Sequence, residues 1–352
     1  MKEIFIFGAG ASYASASTPL GSELVWNYHA NCGHPIPIIN GVPDNSRENV
    51  RFSNFKKFLP VAAQYYPELK GELFKWENRG ESIYHLRPFN KKYYVDELLK
   101  MVLENGDTEG IEVIKKLILE HITCSGLNTS NKLYNEFAKQ VLKNKPFGSV
   151  SIISFNFDCL LHEDFRNEVY FDYLLDFDWI DPNREKIYKK QNSISLIKLH
   201  GSLDWGICRN CNRLYLYFFN VQKGFYDQKR CTEDCEGMID PFIVVPYHKY
   251  NGKINVLWTK AERELKQAKK ITIIGYSFPE YDKMVIDLFK NTLDAHVEID
   301  VVDYHELNSD ITCVANSIKE KYRRLFPKLK REIKIYLGGF EEYMNNCNRT
   351  TK

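Results

Sequence analysis

The chain has 352 residues, 44% of them hydrophobic, which is enough for two domains or for one core with a sizeable insert. Its 48 basic and 46 acidic residues leave a net charge of +2, so composition gives no strong signal for nucleic acid or an anionic membrane. The apolar run in residues 1–8 is too short for a signal peptide, and no window approaches the roughly 18 apolar residues that span a bilayer. We therefore expect a cytoplasmic protein, in which thiols stay reduced.

The first part of the chain is expected to begin with a strand and continue into helices. Residues 3–7 predict a short buried strand that runs directly into glycines. A helix is predicted over residues 19–31, and a loop rich in Pro, Gly and Asn follows it. Apolar residues at three- to four-residue spacing predict helices within 91–122 and over 130–143. Residues 35–145 are therefore expected to form a helical insert.

The second part of the chain is expected to alternate strands with helices. Strands are predicted at residues 149–154, 195–199, 270–274 and 297–303, and a helix around 280–294. Near-continuous apolar strands that alternate with helices indicate a parallel sheet covered on both faces. The fold class is therefore α/β.

Small or polar clusters follow four of the predicted strands. The clusters are Gly8-Ala9-Gly10, Asn156 with Asp158, His200-Gly201, and Gly275-Tyr276-Ser277. Ligands of open α/β sheets bind beyond the carboxyl ends of the strands, so these clusters should meet in one crevice. Each also has a plainer interpretation: an Asn-x-Asp can be an ordinary turn or cap, and a histidine can belong to the core.

The first glycine cluster resembles a phosphate-binding turn. Glycines after a strand let backbone amides approach a pyrophosphate at a helix N-terminus. However, Tyr13 replaces the third glycine of G-x-G-x-x-G, and no acidic residue closes a second strand about 20 residues later. A dehydrogenase-type nucleotide site is therefore poorly supported, and a tight turn without a ligand is the alternative.

Four cysteines form two closely spaced pairs. Cys208 and Cys211 are separated by two residues, and Cys231 and Cys235 by three. Paired thiolates at this spacing predict a tetrahedral zinc site. The alternative is four unrelated thiols in a reducing compartment. A site with four thiolate ligands has no open position, so its zinc would be structural rather than catalytic.

The order of these motifs resembles that of the SIR2 (sirtuin) superfamily, especially its divergent bacterial branch of SIR2-like proteins. The series runs from Gly-Ala-Gly-Ala-Ser through Asn-x-Asp, His-Gly-Ser and the cysteine pairs to Gly-Tyr-Ser, between residues 4 and about 304. The resemblance implies a Rossmann-like parallel-sheet domain that binds NAD, with a smaller domain carrying zinc and helices. The expected boundaries are 1–34, 146–205 and 238–345 for the NAD-binding domain, 35–145 for the helical insert, and 206–237 for the zinc insert.

The resemblance also implies roles for single residues. Gly8, Ala9, Gly10 and Ser12 would line the pyrophosphate of NAD. Asn156 and Asp158 would handle the nicotinamide ribose and the carboxamide, and His200 would be the general base. Gly275 and Ser277 would lie near the adenosine ribose, with Asp303 at an adenosine contact.

Two departures from the family pattern affect the expected substrate. Residues 18–24 lack the Asp and Arg that follow the glycine turn in deacylating sirtuins, and residues 241–247 show no substrate-groove signature. The leading hypothesis is therefore an NAD hydrolase (NADase), which the resemblance links to antiphage defence and to gating by a homo-oligomer or a partner ATPase. The alternatives are an NAD-dependent protein deacylase and a non-catalytic sensor of NAD or ADP-ribose. Because both Asn156 and His200 are present, the sensor is less favoured.

Overall fold

A computed structural model gives the fold of the chain. It describes residues 2–16, 38–39, 42–43, 57–70, 95–125, 132–143, 145–146, 148–161, 170–179, 193–216, 230–231, 235–244, 252–305 and 310–350. The chain divides into two compact units. The first comprises Met1–Ser17, Thr129–Val244 and Lys249–Lys352, and the second comprises Thr18–Asn128 with Val245–His248.

The described elements are as follows, in chain order. The strands are β1 (Glu3–Phe7), β2 (Ile38–Ile39), β3 (Val42–Pro43), β4 (Val150–Ser154), β5 (Phe171–Asp172), β6 (Asp178–Trp179), β7 (Ile194–Lys198), β8 (Gly201–Cys208), β9 (Leu214–Leu216), β10 (Ile239–Ile243), β11 (Lys270–Ile274), β12 (Glu298–Val302) and β13 (Ile333–Tyr336). The helices are α1 (Ala9–Ala16), α2 (57–65), α3 (Val95–Glu104), α4 (Thr108–Ser125), α5 (Lys132–Phe137), α6 (Gly252–Gln267), α7 (Lys283–Thr292), α8 (Ile311–Leu325) and α9 (Gly339–Thr350).

A seven-stranded parallel sheet forms the centre of the first unit. Its strand order is β13-β12-β11-β1-β4-β7-β5, and every pair in it is parallel. From β1 the chain passes to β4, then to the edge strand β5 and back to β7 between them, before it returns to β11 beside β1 and moves outward on the other side. The direction of winding therefore reverses between β1 and β11, which is where open α/β sheets bind ligands. The predicted α/β fold class is confirmed.

Aromatic side chains cover one face of the central strand. The Phe7 ring meets the rings of Tyr134, Phe137 and Phe340 edge to face, at centroid distances of 5.6, 5.4 and 6.1 Å. These partners lie on α5 and α9, so both helices bury their apolar sides against β1. The predicted helix 130–143 is observed as α5, which continues as a π-helical turn at Ala138–Leu142.

A second, four-stranded sheet of order β10-β8-β9-β6 also belongs to the first unit. Strand β8 begins at Gly201, directly after His200, and ends at Cys208. The fully buried ring of Trp205 lies on this strand. A single strand, β8, therefore connects the carboxyl end of β7 with the first cysteine.

The second unit contains the helices α2, α3 and α4. Of the predicted helical stretch 91–122, residues 91–94 lie outside the described residues, and the rest is observed as α3 and α4, separated at Gly106, whose φ of 68° favours glycine. Asp107 then accepts a hydrogen bond from the Gly110 amide at 2.8 Å, which caps α4. The predicted helix 19–31 lies outside the described residues. Among the helices described, none is both long and apolar enough to cross a bilayer.

Candidate functional site

Two turns pack backbone against backbone at the carboxyl end of the central strands. The Gly10 amide donates a hydrogen bond to the Gly275 carbonyl at 3.0 Å. A Cβ atom on Gly275, whose φ is 65°, would lie 2.2 Å from the Ala11 nitrogen, and one on Gly8 would lie 2.5 Å from the Gly275 oxygen. These glycines are therefore required by the contact between the turns, whether or not a phosphate binds. That they line a pyrophosphate stays a prediction, and the Gly10 amide is already engaged.

A buried hydrogen-bond network joins the end of β4 to the first turn of α1. The Asn156 amide nitrogen donates to the Gly8 carbonyl and to Ser12 Oγ, both at 2.9 Å. Ser12 Oγ in turn donates to Asp158 Oδ2 at 2.8 Å and lies 2.9 Å from the Tyr134 hydroxyl. Three of the predicted site residues, Ser12, Asn156 and Asp158, are thus brought together.

The Asn156 side chain keeps one free polar atom in this network. Its Nδ2 group has two hydrogens, and both are donated. In the part of the chain that the structure describes, no donor reaches its Oδ1. The amide oxygen is therefore free to accept a hydrogen bond from a water or a ligand.

Lys198 also lies at the carboxyl end of the parallel strands, and the sequence did not point to it. It is fully buried at the end of β7, and its Nζ donates to the Asp158 carbonyl at 2.5 Å. A buried ammonium needs such a partner, so this bond holds the Asn156–Asp158 segment against β7. The only signal in the sequence was a lysine inside an apolar strand.

His200 follows β7 and is held at one ring nitrogen. Its Nδ1 lies 3.2 Å from the Phe155 carbonyl, an acceptor, which places the proton of the neutral ring on Nδ1. Its Nε2 is buried without a hydrogen-bond partner among the described residues. Asp282 Oδ2 lies 3.4 Å from Nε2. A proton on Nε2 would therefore make an ion pair with this carboxylate.

Asp282 is a second residue that the sequence analysis missed. It is buried at the start of α7 and accepts a hydrogen bond from the Tyr276 hydroxyl at 2.5 Å. Burial alone would raise the pKa of this carboxyl group, but the charge of His200 and the Tyr276 hydroxyl outweigh it and hold the pKa below its usual value. Asp282 is therefore ionised at neutral pH. The signal available was an aspartate five residues after Ser277, beyond the motif considered.

The predicted adenosine-side residues lie at the ends of β11 and β12. The Ser277 carbonyl accepts a hydrogen bond from Lys321 Nζ, and Asp303 Oδ1 accepts one from the Tyr304 amide at 2.9 Å. Burial lowers the pKa of Lys321, and the nearby charges of Asp303 and Glu280 oppose that shift. Ser277 and Asp303 are thus linked through Lys321 and make no hydrogen bond to each other. Their predicted role in adenosine binding stays a prediction.

The four predicted zinc ligands converge at the end of β8. The sulfur atoms of Cys208, Cys211, Cys231 and Cys235 all lie within 4.8 Å of one another. The pairs Cys208–Cys235 and Cys211–Cys231 are 3.6 Å apart, too far for a disulfide. Thiolates bound to one zinc at about 2.3 Å lie about 3.8 Å apart, so the cluster fits that ion.

The surroundings of the cysteine cluster also suit a cation. A hydrogen bond from the Gly237 amide lowers the pKa of Cys235, yet partial burial and the neighbouring thiols raise it overall to about 12. Four crowded thiols therefore do not ionise together without a positive charge among them. The Tyr215 hydroxyl lies 2.9 Å from Cys231 Sγ, where it can donate to a thiolate. The residues present thus fit a structural zinc ion.

Comparisons with known proteins give likenesses in structure. No protein-family model and no curated protein sequence matches the chain. Similar solved structures include a Sir2 homologue mutant in complex with ADP-ribose, at 15% identity and a TM-score of 0.43, covering 99% of this chain and 90% of that one. Sir2Tm bound to a propionylated peptide is 12% identical, with a TM-score of 0.41 and coverages of 99% and 93%. A Sir2 homologue–NAD complex is 16% identical, with a TM-score of 0.41 and coverages of 74% and 78%. The likeness concerns the fold.

Proposed function

We propose that the chain hydrolyses NAD at its nicotinamide–ribose bond and releases ADP-ribose and nicotinamide. The observation that carries the proposal is the position of Asn156 and His200 at the ends of the neighbouring strands β4 and β7. Both residues are buried, and neither Asn156 Oδ1 nor His200 Nε2 has a hydrogen-bond partner among the described residues. Of the two atoms, Nε2 is itself buried; buried polar atoms are usually paired, so a free one at a ligand-binding edge favours a substrate there.

The chemistry follows from what the two side chains can exchange. When the bond between the ribose C1′ and the nicotinamide nitrogen breaks, its electron pair leaves with neutral nicotinamide and positive charge develops on the ribose. The oxygen of a water molecule then bonds to C1′. Asn156 Oδ1 can accept one hydrogen of that water and orient it, and His200 Nε2 can take the other as a proton. The balance is one NAD and one water consumed, and one ADP-ribose, one nicotinamide and one proton formed.

Water is favoured over an acyl-lysine as the acceptor because of the departures in the sequence. Residues 18–24 lack the Asp and Arg of deacylating sirtuins, and residues 241–247 lack the peptide-groove signature. The test is incubation of the purified protein with NAD alone and then with an acetylated peptide, with both products quantified by chromatography. Free ADP-ribose and nicotinamide from NAD alone are expected. Nicotinamide that appears only with the peptide indicates a deacylase, and NAD binding without release indicates a sensor.

His200→Ala separates chemistry from binding. Because His200 is proposed to move a proton, its loss should lower turnover by about 10²–10⁴ and leave NAD affinity within a few fold. Calorimetric affinity and the rate of nicotinamide release are measured on the same preparations. His296→Ala is the matched control, since His296 is exposed in the turn before β12 and should leave both values unchanged. Turnover at the parental rate in His200→Ala would remove His200 from the mechanism.

A further inference from the structure

We propose that Asp282 is a positioning residue for His200: it orients the imidazole and stabilises the positive charge that the ring acquires when Nε2 takes a proton. The inference rests on the proposed function and assigns a role to a residue outside every motif described above. It stands on the geometry of one buried carboxylate and one buried ring.

The carboxylate faces the imidazole as well as the start of its own helix. Asp282 is the N-cap residue of α7, a position at which aspartate usually accepts hydrogen bonds from the first amides of the helix. The Val285 amide in that first turn contributes to the lowered pKa of Asp282, although the side chain makes no capping hydrogen bond of ordinary geometry. Its Oδ2 accepts from Tyr276 at 2.5 Å and lies 3.4 Å from His200 Nε2. The short contacts of Oδ2 are therefore with Tyr276 and His200.

Both partners are shielded from water, which strengthens their interaction. The side chains of His200 and Asp282 are 7% and 4% exposed. With Nδ1 donating to the Phe155 carbonyl, a proton taken from a substrate or a water must go to Nε2, next to the carboxylate. The resulting imidazolium and the carboxylate attract each other in a weakly screened environment. The carboxylate therefore favours the state that follows proton transfer, from the side of the nitrogen that receives the proton.

Tyr276 connects the contacts at the two ring nitrogens. Its hydroxyl binds Asp282, and its ring stacks on Phe155 at a centroid distance of 4.1 Å and an interplanar angle of 23°. Phe155 supplies the carbonyl that accepts from His200 Nδ1. The Tyr276 side chain thus contacts both residues that flank the imidazole, Asp282 at Nε2 and Phe155 at Nδ1.

The kinetic test is Asp282→Asn, which keeps the shape and removes the charge. We expect kcat for nicotinamide release to fall about tenfold or more, with KM within about threefold. In a His200→Ala background, Asp282→Asn should cause no further fall, because Asp282 acts through His200. Two effects that multiply in the double variant, or an unchanged kcat, would overturn the proposal. Asp287→Asn, on the exposed side of α7, is the matched control and should change neither constant.

A spectroscopic test works without activity. In a ¹⁵N-edited spectrum of the histidine rings, the His200 resonances are identified by their loss in His200→Ala. The Nε2 resonance should shift in Asp282→Asn and stay in place in Asp287→Asn. An unmoved resonance contradicts the positioning role even if the enzyme is active. A shifted resonance in a protein that never releases nicotinamide contradicts the proposed function alone. If Asp282→Asn does not fold, Tyr276→Phe, which keeps the carboxylate, should shift the same resonance and lower kcat less.

Discussion

Buried charges are paired differently at the two ends of the parallel strands, which are called here the amino edge and the carboxyl edge of the sheet. At the amino edge, Glu264 accepts a hydrogen bond from Ser151 at 2.6 Å and pairs with Lys2 at 2.6 Å. At the carboxyl edge, Asp282 is as deeply buried, but the neighbouring His200 Nε2 has no hydrogen bond. Completed pairs at the amino edge stabilise the fold. The pair at the carboxyl edge is incomplete, and the proposed function assigns its free nitrogen to the reaction.

The two buried carboxylates also differ in the kind of cation beside them. Burial raises the pKa of Glu264, but hydrogen bonds from Lys2 and Ser151 outweigh it and hold the pKa below its usual value. The pKa of Asp282 is also held below its usual value, with His200 as its charged neighbour. Glu264 is thus paired with a lysine, and Asp282 lies beside a histidine. The proposed proton transfer concerns the second pair alone.

Substitution of two glycines, one at each edge, should give the largest difference in stability. Gly275→Ala should destabilise the protein by about 3 kcal/mol or more, because the new Cβ would lie 2.2 Å from the Ala11 nitrogen and the residue has a φ of 65°. Gly148, before β4, has a φ of 74° but no atom within 4 Å of its would-be Cβ. Gly148→Ala should therefore cost only about 1 kcal/mol. Chemical denaturation of both variants measures the difference, and equal losses would contradict tight packing at the carboxyl edge.

The cysteine cluster lies at neither edge, so its variants show how much stability a metal site outside the parallel sheet contributes. Purified protein should contain about one zinc per chain, and Cys231→Ser should lower both zinc content and the free energy of unfolding, the latter by about 2 kcal/mol or more. Cys313→Ser, at an exposed cysteine in α8, is the control and should change neither. Zinc content is measured by metal analysis and the free energy of unfolding by chemical denaturation, on the same preparations. A folded parental protein with less than about a tenth of a zinc per chain would contradict the structural-zinc assignment.

A smaller effect is expected at the amino edge. Glu264→Gln should lower stability by about 1–3 kcal/mol at neutral pH, because it removes a buried charge that Lys2 and Ser151 satisfy. It should leave the rate of nicotinamide release unchanged. Glu262→Gln, at a half-exposed residue of the same helix, should cost no more than about 0.5 kcal/mol. A loss of turnover in Glu264→Gln would break the distinction between the two edges.

The stability lost in Glu264→Gln should also depend on pH, which is the weakest of these effects. Because the fold lowers the pKa of Glu264, its stabilisation is present above the unfolded-state pKa of about 4.3 and disappears as the pH falls through the folded-state value. The stability difference between the parental protein and Glu264→Gln should therefore shrink below about pH 4.3. Denaturation curves at several pH values measure it. A difference that grows on acidification would mean that Glu264 is not held ionised by Lys2.

Much of the architecture could be predicted from local patterns. Strands β1 and β11 were predicted at their observed bounds, because a strand buried on both faces is a continuous apolar run. Strand β7 begins and ends one residue earlier than predicted. The four cysteines could be grouped because they lie close together in the chain, and their sulfur atoms do converge. Patterns of this kind need no knowledge of distant contacts.

Local patterns in the sequence were enough to predict the parallel sheet, the clusters at the ends of its strands and the cysteine cluster. The hydrogen-bond partners of the atoms at the carboxyl edge, in contrast, depend on tertiary contacts. Gly10 and Gly275 are 265 positions apart, so their contact has no local signature. Asp282 is an N-cap by sequence position, and its direction toward His200 depends on where β7 and α7 meet. Periodicity reports which face of an element is buried, whereas the pairing of buried polar atoms is set by contacts between distant segments.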